Sequence, residues 1–278
     1  MKQRISSFAV RNLVFALLLL VSVSSRAQFY TSITSPNASG TKVWLGYGGV
    51  STTGTPSAVI GHGIGVPYSD KIKAESVDFD IQPSAMLSLQ MHRENSKGVA
   101  HGFGFTFQYS TYQWMADFSS ESMGNPNYRY RAGKKSKALF FGMGYEFEYR
   151  PVDRLVLGAG AGIGGEVQFG RQHRAEAIHL ATGTLYPSDD SEWHDMVDDN
   201  YDVNMDINFS LYGRLTAQYY ITQTVFVGVA LQLKQTLAGT ANPHDLTTYQ
   251  SSPAGFNICI LEGNFSRLSY LLTLGFDL

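Results

Sequence analysis

Cysteine is almost absent: the 278-residue chain has one, Cys259. A single thiol excludes an internal disulfide framework and a multi-cysteine metal cluster, so cross-links do not stabilise this chain. Long apolar runs are equally scarce. Beyond the N-terminal stretch none approaches the roughly 18 residues that a membrane-spanning helix needs, which argues against a helical membrane protein. An excess of basic residues is missing too, with 21 Lys and Arg against 23 Asp and Glu. That balance suits non-specific nucleic-acid binding poorly, and no nucleic-acid partner is expected.

What is present begins with a tripartite N-terminus. Lys2, Arg4 and Arg11 flank the start of an apolar run from Leu13 to Leu20 that continues to Val23, and Ser24-Ser25-Arg26-Ala27 follows before Gln28. These are the basic region, short apolar region and small-residue cleavage site of a secretory signal; at about 11 residues the run is too short to cross a bilayer as a helix. Residues 1–27 are therefore expected to be a signal peptide, and 28–278 a single mature domain starting at Gln28. Cleavage removes four basic residues and no acidic ones, leaving 17 against 23 and a formal charge of −6. No cysteine follows the signal, so lipid attachment at a new N-terminal Cys is not expected.

In the mature chain the recurring signal has period two. From 205 to 220, Met205, Ile207, Phe209, Leu211, Leu215, Ala217 and Tyr219 alternate with polar residues such as Asp206, Asn208, Arg214 and Gln218. One face is apolar and the other wet, the pattern of a strand between two unlike media. The same alternation runs through 224–237 (Val225 to Leu237 against Gln232, Lys234 and Thr236), 136–150 (Leu139 to Tyr149 against Glu146, Glu148 and Arg150), 102–109 and 84–92. Weaker members are 41–50 around Val43, Leu45 and Tyr47, 154–170 with its glycines, and the last segment from about 264 to Leu278. That makes eight. The links between them alternate strictly in length: short at 94–100, 151–153 and 221–223, long at about 51–82, 114–135, 171–203 and 238–263.

A soluble β-sandwich or lipocalin-like barrel carrying a hydrophobic ligand would show similar alternation. Three features favour a bilayer. Charges stand in mid-strand on the wet face (Arg214, Lys234, Arg267, Glu146, Glu148), most strands are 10–16 residues long where about 9–11 tilted residues span a membrane, and aromatic residues gather near strand ends. The fold class expected is all-β: a closed antiparallel transmembrane barrel of about eight strands, with four long outer loops and short periplasmic turns.

The C-terminus carries a resemblance. Tyr270-x-Leu272-x-Leu274-x-Phe276-x-Leu278 resembles the terminal signal by which the barrel-assembly machinery recognises outer-membrane proteins, with Leu standing last where Phe is usual. Together with the signal peptide and eight strands, it makes the mature chain similar to the OmpA and OmpX type of small outer-membrane barrel. That resemblance implies residence in the outer membrane, with the barrel-assembly machinery, outer-membrane lipid and lipopolysaccharide as partners. No peptidoglycan-binding domain is expected beyond the strands, so the resemblance is not expected to extend to an anchoring role.

Eight strands enclose a space that side chains can fill, which makes a poor channel. Arg214, Lys234 and Arg267 would meet Glu146, Glu148 and Glu166 in the lumen as a paired network, because a lone charge there is costly. Gly160-Ala161-Gly162-Ile163-Gly164-Gly165 fits the letters of a dinucleotide fingerprint, yet no βαβ pattern surrounds it; it reads as a strand whose small residues make room for Arg214 or a bulky neighbour. No cofactor is expected. The third long loop holds Asp189, Asp190, Glu192, Asp195, Asp198, Asp199 and Asp202, a set that could hold a divalent cation but lacks EF-hand spacing. The second is basic, with Arg129, Arg131, Lys134, Lys135 and Lys137, suited to lipopolysaccharide phosphates or to the acidic loop. His92, His101, His173, His179 and His194 are available for a lipid-modifying enzyme, the main alternative function, but no spacing singles out a catalytic set with serine and carboxylate. The expectation is a non-enzymatic outer-membrane barrel with a filled, polar lumen, its contacts with an unknown ligand or surface borne by the outer loops.

Overall fold

The computed structural model describes residues 39–54, 57–62, 72–94, 98–118, 127–186, 193–195, 205–239, 246–248, 256–261 and 265–278. The signal-peptide reading of 1–27 and the start at Gln28 lie outside them. The described strands are, in order, β1 (Ser39–Thr53), β2 (Ser57–His62), β3 (Ile72–Lys73), β4 (Ser76–Phe79), β5 (Gln82–Glu94), β6 (Val99–Phe118), β7 (Tyr128–Val152), β8 (Leu155–His179), β9 (Leu185–Tyr186), β10 (His194–Asp195), β11 (Met205–Tyr220), β12 (Val225–Gly239), β13 (Leu246–Thr248), β14 (Phe256–Leu261) and β15 (Ser266–Asp277).

Eight of them close a ring. β1 pairs with β5, β5 with β6, β6 with β7, β7 with β8, β8 with β11, β11 with β12, β12 with β15, and β15 returns to β1, every pair antiparallel. Closure removes the open edges that would otherwise expose unpaired N–H and C=O groups, the condition for a sheet to sit in hydrocarbon. The chain's first and last barrel strands meet from Lys42↔Asp277 to Thr53↔Ser266. Tight turns join β7 to β8 and β11 to β12, and Gly98, at a left-handed φ of 70°, ends the link from β5 into β6.

The alternation points its apolar side outward. Leu45, Tyr47, Phe103, Phe107, Leu139, Phe147, Leu215, Leu233, Leu272 and Leu274 are all large and exposed. Trp44, Ser88, Gln90, Thr106, Gln108, Glu146, Arg214 and Gln232 are buried inside. A soluble β-protein buries its apolar face; this one turns it to the medium, so the medium is apolar. On β7 the apolar exterior runs from Leu139 to Tyr149, 11 residues of the 25 in the strand, which matches one tilted crossing of a bilayer. Its end at the short turns is ringed by aromatics: Tyr145 meets Phe103 and Phe147 edge-on, with ring centroids 5.2 and 5.1 Å apart, and shares a 2.5 Å hydrogen bond with His101 Nδ1.

Two of the four expected long loops differ in the structure. The β6–β7 hairpin continues to Phe118 and Tyr128, so the basic residues expected in the second loop lie on strand β7. β8 likewise runs on to His179, well past the expected start of the third loop at 171. Beyond the apolar band these strands stand clear of the bilayer as a sheet, with β4 added along β6 and β9 and β10 along β8. Ten residues of β7, Tyr128 to Lys137, make roughly 30 Å of strand above the band. A bulge marks where the sheet leaves the band: Lys137 faces Phe169 but Lys135 faces Gln172, and Gly170, at φ 56°, takes up the extra residue. The first and fourth loops also pair, β2 against β14 with β3 and β13 at the edges. They form a second sheet of four strands, and Cys259 lies in it.

Candidate functional site

The inside of the ring is filled in tiers. Nearest the short turns, Tyr220 donates a 2.9 Å hydrogen bond from its hydroxyl to Asp277, and His92 Nε2 stands 3.6 Å from the same carboxylate. Above them Lys42 Nζ lies 2.5 Å from Glu148, which also accepts a hydrogen bond from Gln90 Nε2 at 3.2 Å. The next tier joins Arg214 to Glu146; the guanidinium also donates to Thr106 Oγ1 at 2.9 Å and stacks 5.0 Å from the Trp44 ring. Gln108 then donates to both Ser84 and Ser269, at 2.8 and 2.7 Å, and Gln232 donates to Gln108. At the outer end Glu166 is shared between Lys234 and Arg267, with Tyr112 and Gln168 donating to it at 3.2 and 3.0 Å.

All six charged residues placed in the lumen from the sequence, Glu146, Glu148, Glu166, Arg214, Lys234 and Arg267, are buried inside the ring. Their partners differ in one respect: Glu148 is joined to Lys42, a residue the sequence reading passed over. Lys42 shares the parity of Trp44 on β1 and Asp277 the parity of Arg267 on β15, so alternation alone could have put both inside.

The expectation of a polar lumen needs correction. Trp44, Met86, Val156, Phe226, Ala230 and Leu271 point inward and pack with Tyr220 as one apolar cluster among the lower tiers. A closed barrel must fill its interior to native density, and apolar side chains do so without needing hydrogen-bond partners. Charge pairs therefore sit between apolar neighbours, where their attraction is least screened.

The glycines of β7 and β8 form the wall against which large side chains lie. A Cβ on Gly142 would meet the rings of Phe140 and Tyr212, and on Gly160 the Glu146 side chain; one on Gly162 would strike the Met143 carbonyl and the Tyr212 ring. Phe140 and Tyr212 stack edge-on at 5.8 Å across this wall. Gly162→Ala is expected to destabilise the barrel by about 1–3 kcal/mol, because backbone has to shift. Gly165→Ala is expected to be near neutral, since its Cβ would point into open space. Urea midpoints of the two variants check this, and equal shifts would contradict it.

The extension above the band has two unlike faces. On its outer face Asp117 accepts from Ser76 Oγ at 2.7 Å and pairs with Arg129 and Arg131, Arg131 reaches Asp78 at 3.5 Å, and Arg174 pairs with Glu176. On the inner face Trp114, Ala116, Phe118, Tyr130 and Ala132 are buried, and Phe265 lies 6.0 Å from Trp114 and 6.1 Å from Phe79. This aromatic layer sits directly beyond the Glu166 tier. Of the five basic residues expected to act together, Lys134 is buried on the inner face, Arg129 and Arg131 are held by carboxylates, and Lys135 and Lys137 face outward.

Asp195 of the acidic set lies in β10 against β8, opposite Gln172. Asp189, Asp190, Glu192, Asp198, Asp199 and Asp202 fall outside the described residues. Among the described residues no group of three His, Cys, Asp or Glu side chains is placed to hold a metal ion. The terminal Tyr270, Leu272, Leu274, Phe276 and Leu278 all lie on the outward face of the last strand, and the Tyr270 ring covers Gly49 on its neighbour.

No protein-family model matches the chain, and no curated protein does. Among solved structures the chain is similar to the outer membrane protein OprG from Pseudomonas aeruginosa, at 9% identity over 88% of this chain and 99% of that one, TM-score 0.44. It is similar to the outer membrane protease OmpT from Escherichia coli at 12% identity over 90% and 100%, TM-score 0.41. Neisserial surface protein A aligns at 10% identity over 87% and 99%, TM-score 0.32. At such low identity the fold rests on the chain's own strand register, which closes a ring of eight.

Proposed function

We propose that this is a non-enzymatic outer-membrane β-barrel that passes no solute and acts through the sheet it raises above the bilayer. The observation that carries the reading is the occlusion of the lumen. From Asp277 at one end to Glu166 at the other, paired charges alternate with amide networks and an apolar cluster, and an aromatic layer lies beyond the outer end. Opening a path would mean separating buried ion pairs in a low-dielectric interior, at several kcal/mol for each charge exposed without its partner. The exterior supports membrane residence, and the C-terminal strand, with Tyr270, Leu272, Leu274, Phe276 and Leu278 on one outward face, supports recognition by the barrel-assembly machinery.

What remains available for contact with a ligand or surface is the outer extension, which among the described residues is built from paired strands. Such a platform holds its side chains in register and suits recognition better than a free loop does. Planar-bilayer recording of the refolded full chain tests the reading. It is expected to give no conductance steps, and discrete single-channel openings in the unmodified chain would overturn it.

A further inference from the structure

We infer that Met115, on the outward face of the outer extension, is an oxidation site whose sulfoxide loosens strand β4 from that face. The inference rests on the reading of the extension as the contact surface and adds its regulation. Met115 lies opposite Asp78 of β4 on one side and Gly133 of β7 on the other. A Cβ on Gly133 would run into the Met115 sulfur and meet its Cγ at 3.2 Å, so the thioether lies flat over the glycine. Gly133 is thereby buried although it belongs to the outward face, and Met115 itself is half-buried, with one side open to water. Met86, by contrast, is buried in the lumen, and Met91 and Met143 face the apolar medium from within the band. Among the described methionine side chains, Met115 is therefore the one that a water-borne oxidant meets.

The chemistry is a two-electron oxidation at sulfur. With a chloramine as oxidant, the sulfur lone pair takes the chlorine and the amine leaves as it picks up a proton. Water then adds its oxygen to the sulfur and chloride departs; of water's two protons, one replaces the proton already taken and the other ends on the amine. A flexible apolar group becomes a polar acceptor. It does so beside Asp78 and among cations. Arg131 and Lys135 flank Gly133 on the same face of β7, and Arg174 stands opposite Gly133 on β8. Arg131 is shared between Asp117 at 3.1 Å and Asp78 at 3.5 Å. A sulfoxide oxygen directly across from Asp78 repels that carboxylate and competes with it for the guanidinium. Because β4 is only four residues long and pairs with β6 over that length, the loss of one cross-strand contact weighs heavily on it.

The test treats the full mature chain in nanodiscs with N-chlorotaurine, an anionic chloramine that stays in water, and follows each methionine by peptide mass spectrometry. Met115 is expected to oxidise roughly tenfold faster than Met86, Met91 or Met143. Gly133 shields one side of the sulfur, so one sulfoxide epimer is expected in excess, read on the isolated peptide with epimer-specific sulfoxide reductases. In Gly133→Ala, where the new Cβ displaces the thioether, the two epimers are expected in more equal amounts. Hydrogen exchange of the Ser76–Phe79 amides is expected to quicken severalfold after oxidation, and to be unmoved by the oxidant in Met115→Leu. Oxidation of Met115 no faster than that of Met91 and Met143, equal epimers in the unmodified chain, or β4 exchange unchanged by oxidation would overturn the inference. These quantities are read whether or not the chain conducts, so single-channel openings would overturn the recognition reading separately.

Discussion

Arg214→Met is expected to destabilise the barrel by roughly 3–5 kcal/mol, read as a shift in the urea midpoint of the folded protein in vesicles. The loss comes from what is left behind. Glu146, buried with Arg214 in the same tier, would keep its charge with neither water nor the guanidinium to compensate it. The methionine itself fits, since the site is already bounded by Trp44 and Met86. Adding Glu146→Gln should therefore recover most of the loss, because the remaining side chain is neutral. Additive losses in this double-mutant cycle would show that the two residues do not interact.

Glu166→Gln is expected to cost at least as much, for a different reason. One carboxylate serves two cations, so its neutralisation leaves Lys234 and Arg267 buried together with like charge. Tyr112 offers only its ring to Arg267, whose Cζ lies 3.9 Å from the ring centroid, and a hydroxyl 3.2 Å from Lys234 Nζ. Neither replaces a full negative charge. Lys234→Met should cost less, because the Arg267–Glu166 pair survives and the methyl end can rest against Phe140. A larger loss for Lys234→Met than for Glu166→Gln would contradict this division of roles.

Much of this arrangement is legible in the sequence, because period-two alternation carries both the strands and their inward faces. The segment 205–220 appears as β11 with the same bounds, and the short links expected at 94–100, 151–153 and 221–223 fall at 95–98, 153–154 and 221–224. Glu146 lies six residues before Val152 and Arg214 eight before Thr222, on strands two apart in the ring, so counting up from the turns puts the two at comparable heights, where the structure joins them. The extension was hidden for a physical reason: above the bilayer the outward face no longer needs to be apolar. Lys137, Lys135, Arg131 and Arg129 replace Leu139 and Phe141 in the same parity, and the change of composition reads as the end of a strand although pairing continues. The apolar cluster is hidden because alternation marks the inward face as one wet side, whatever the individual residues on it. Trp44, Phe226 and Leu271 hold lumen parity, and alternation assigns a side chain to a wall without saying what fills the space beyond it.

The central claim is a barrel that crosses the outer membrane with its short turns in the periplasm and its extended strands outside. Cysteine accessibility on intact cells, in a Cys259→Ala background, tests it most directly. Thr182 lies at the exposed outer tip beyond β8, whereas Asp153 is exposed in the tight turn between β7 and β8. A membrane-impermeant maleimide should label Thr182→Cys on intact cells, and Asp153→Cys only after the outer membrane is permeabilised. Labelling of Asp153→Cys on intact cells with Thr182→Cys silent would contradict the account.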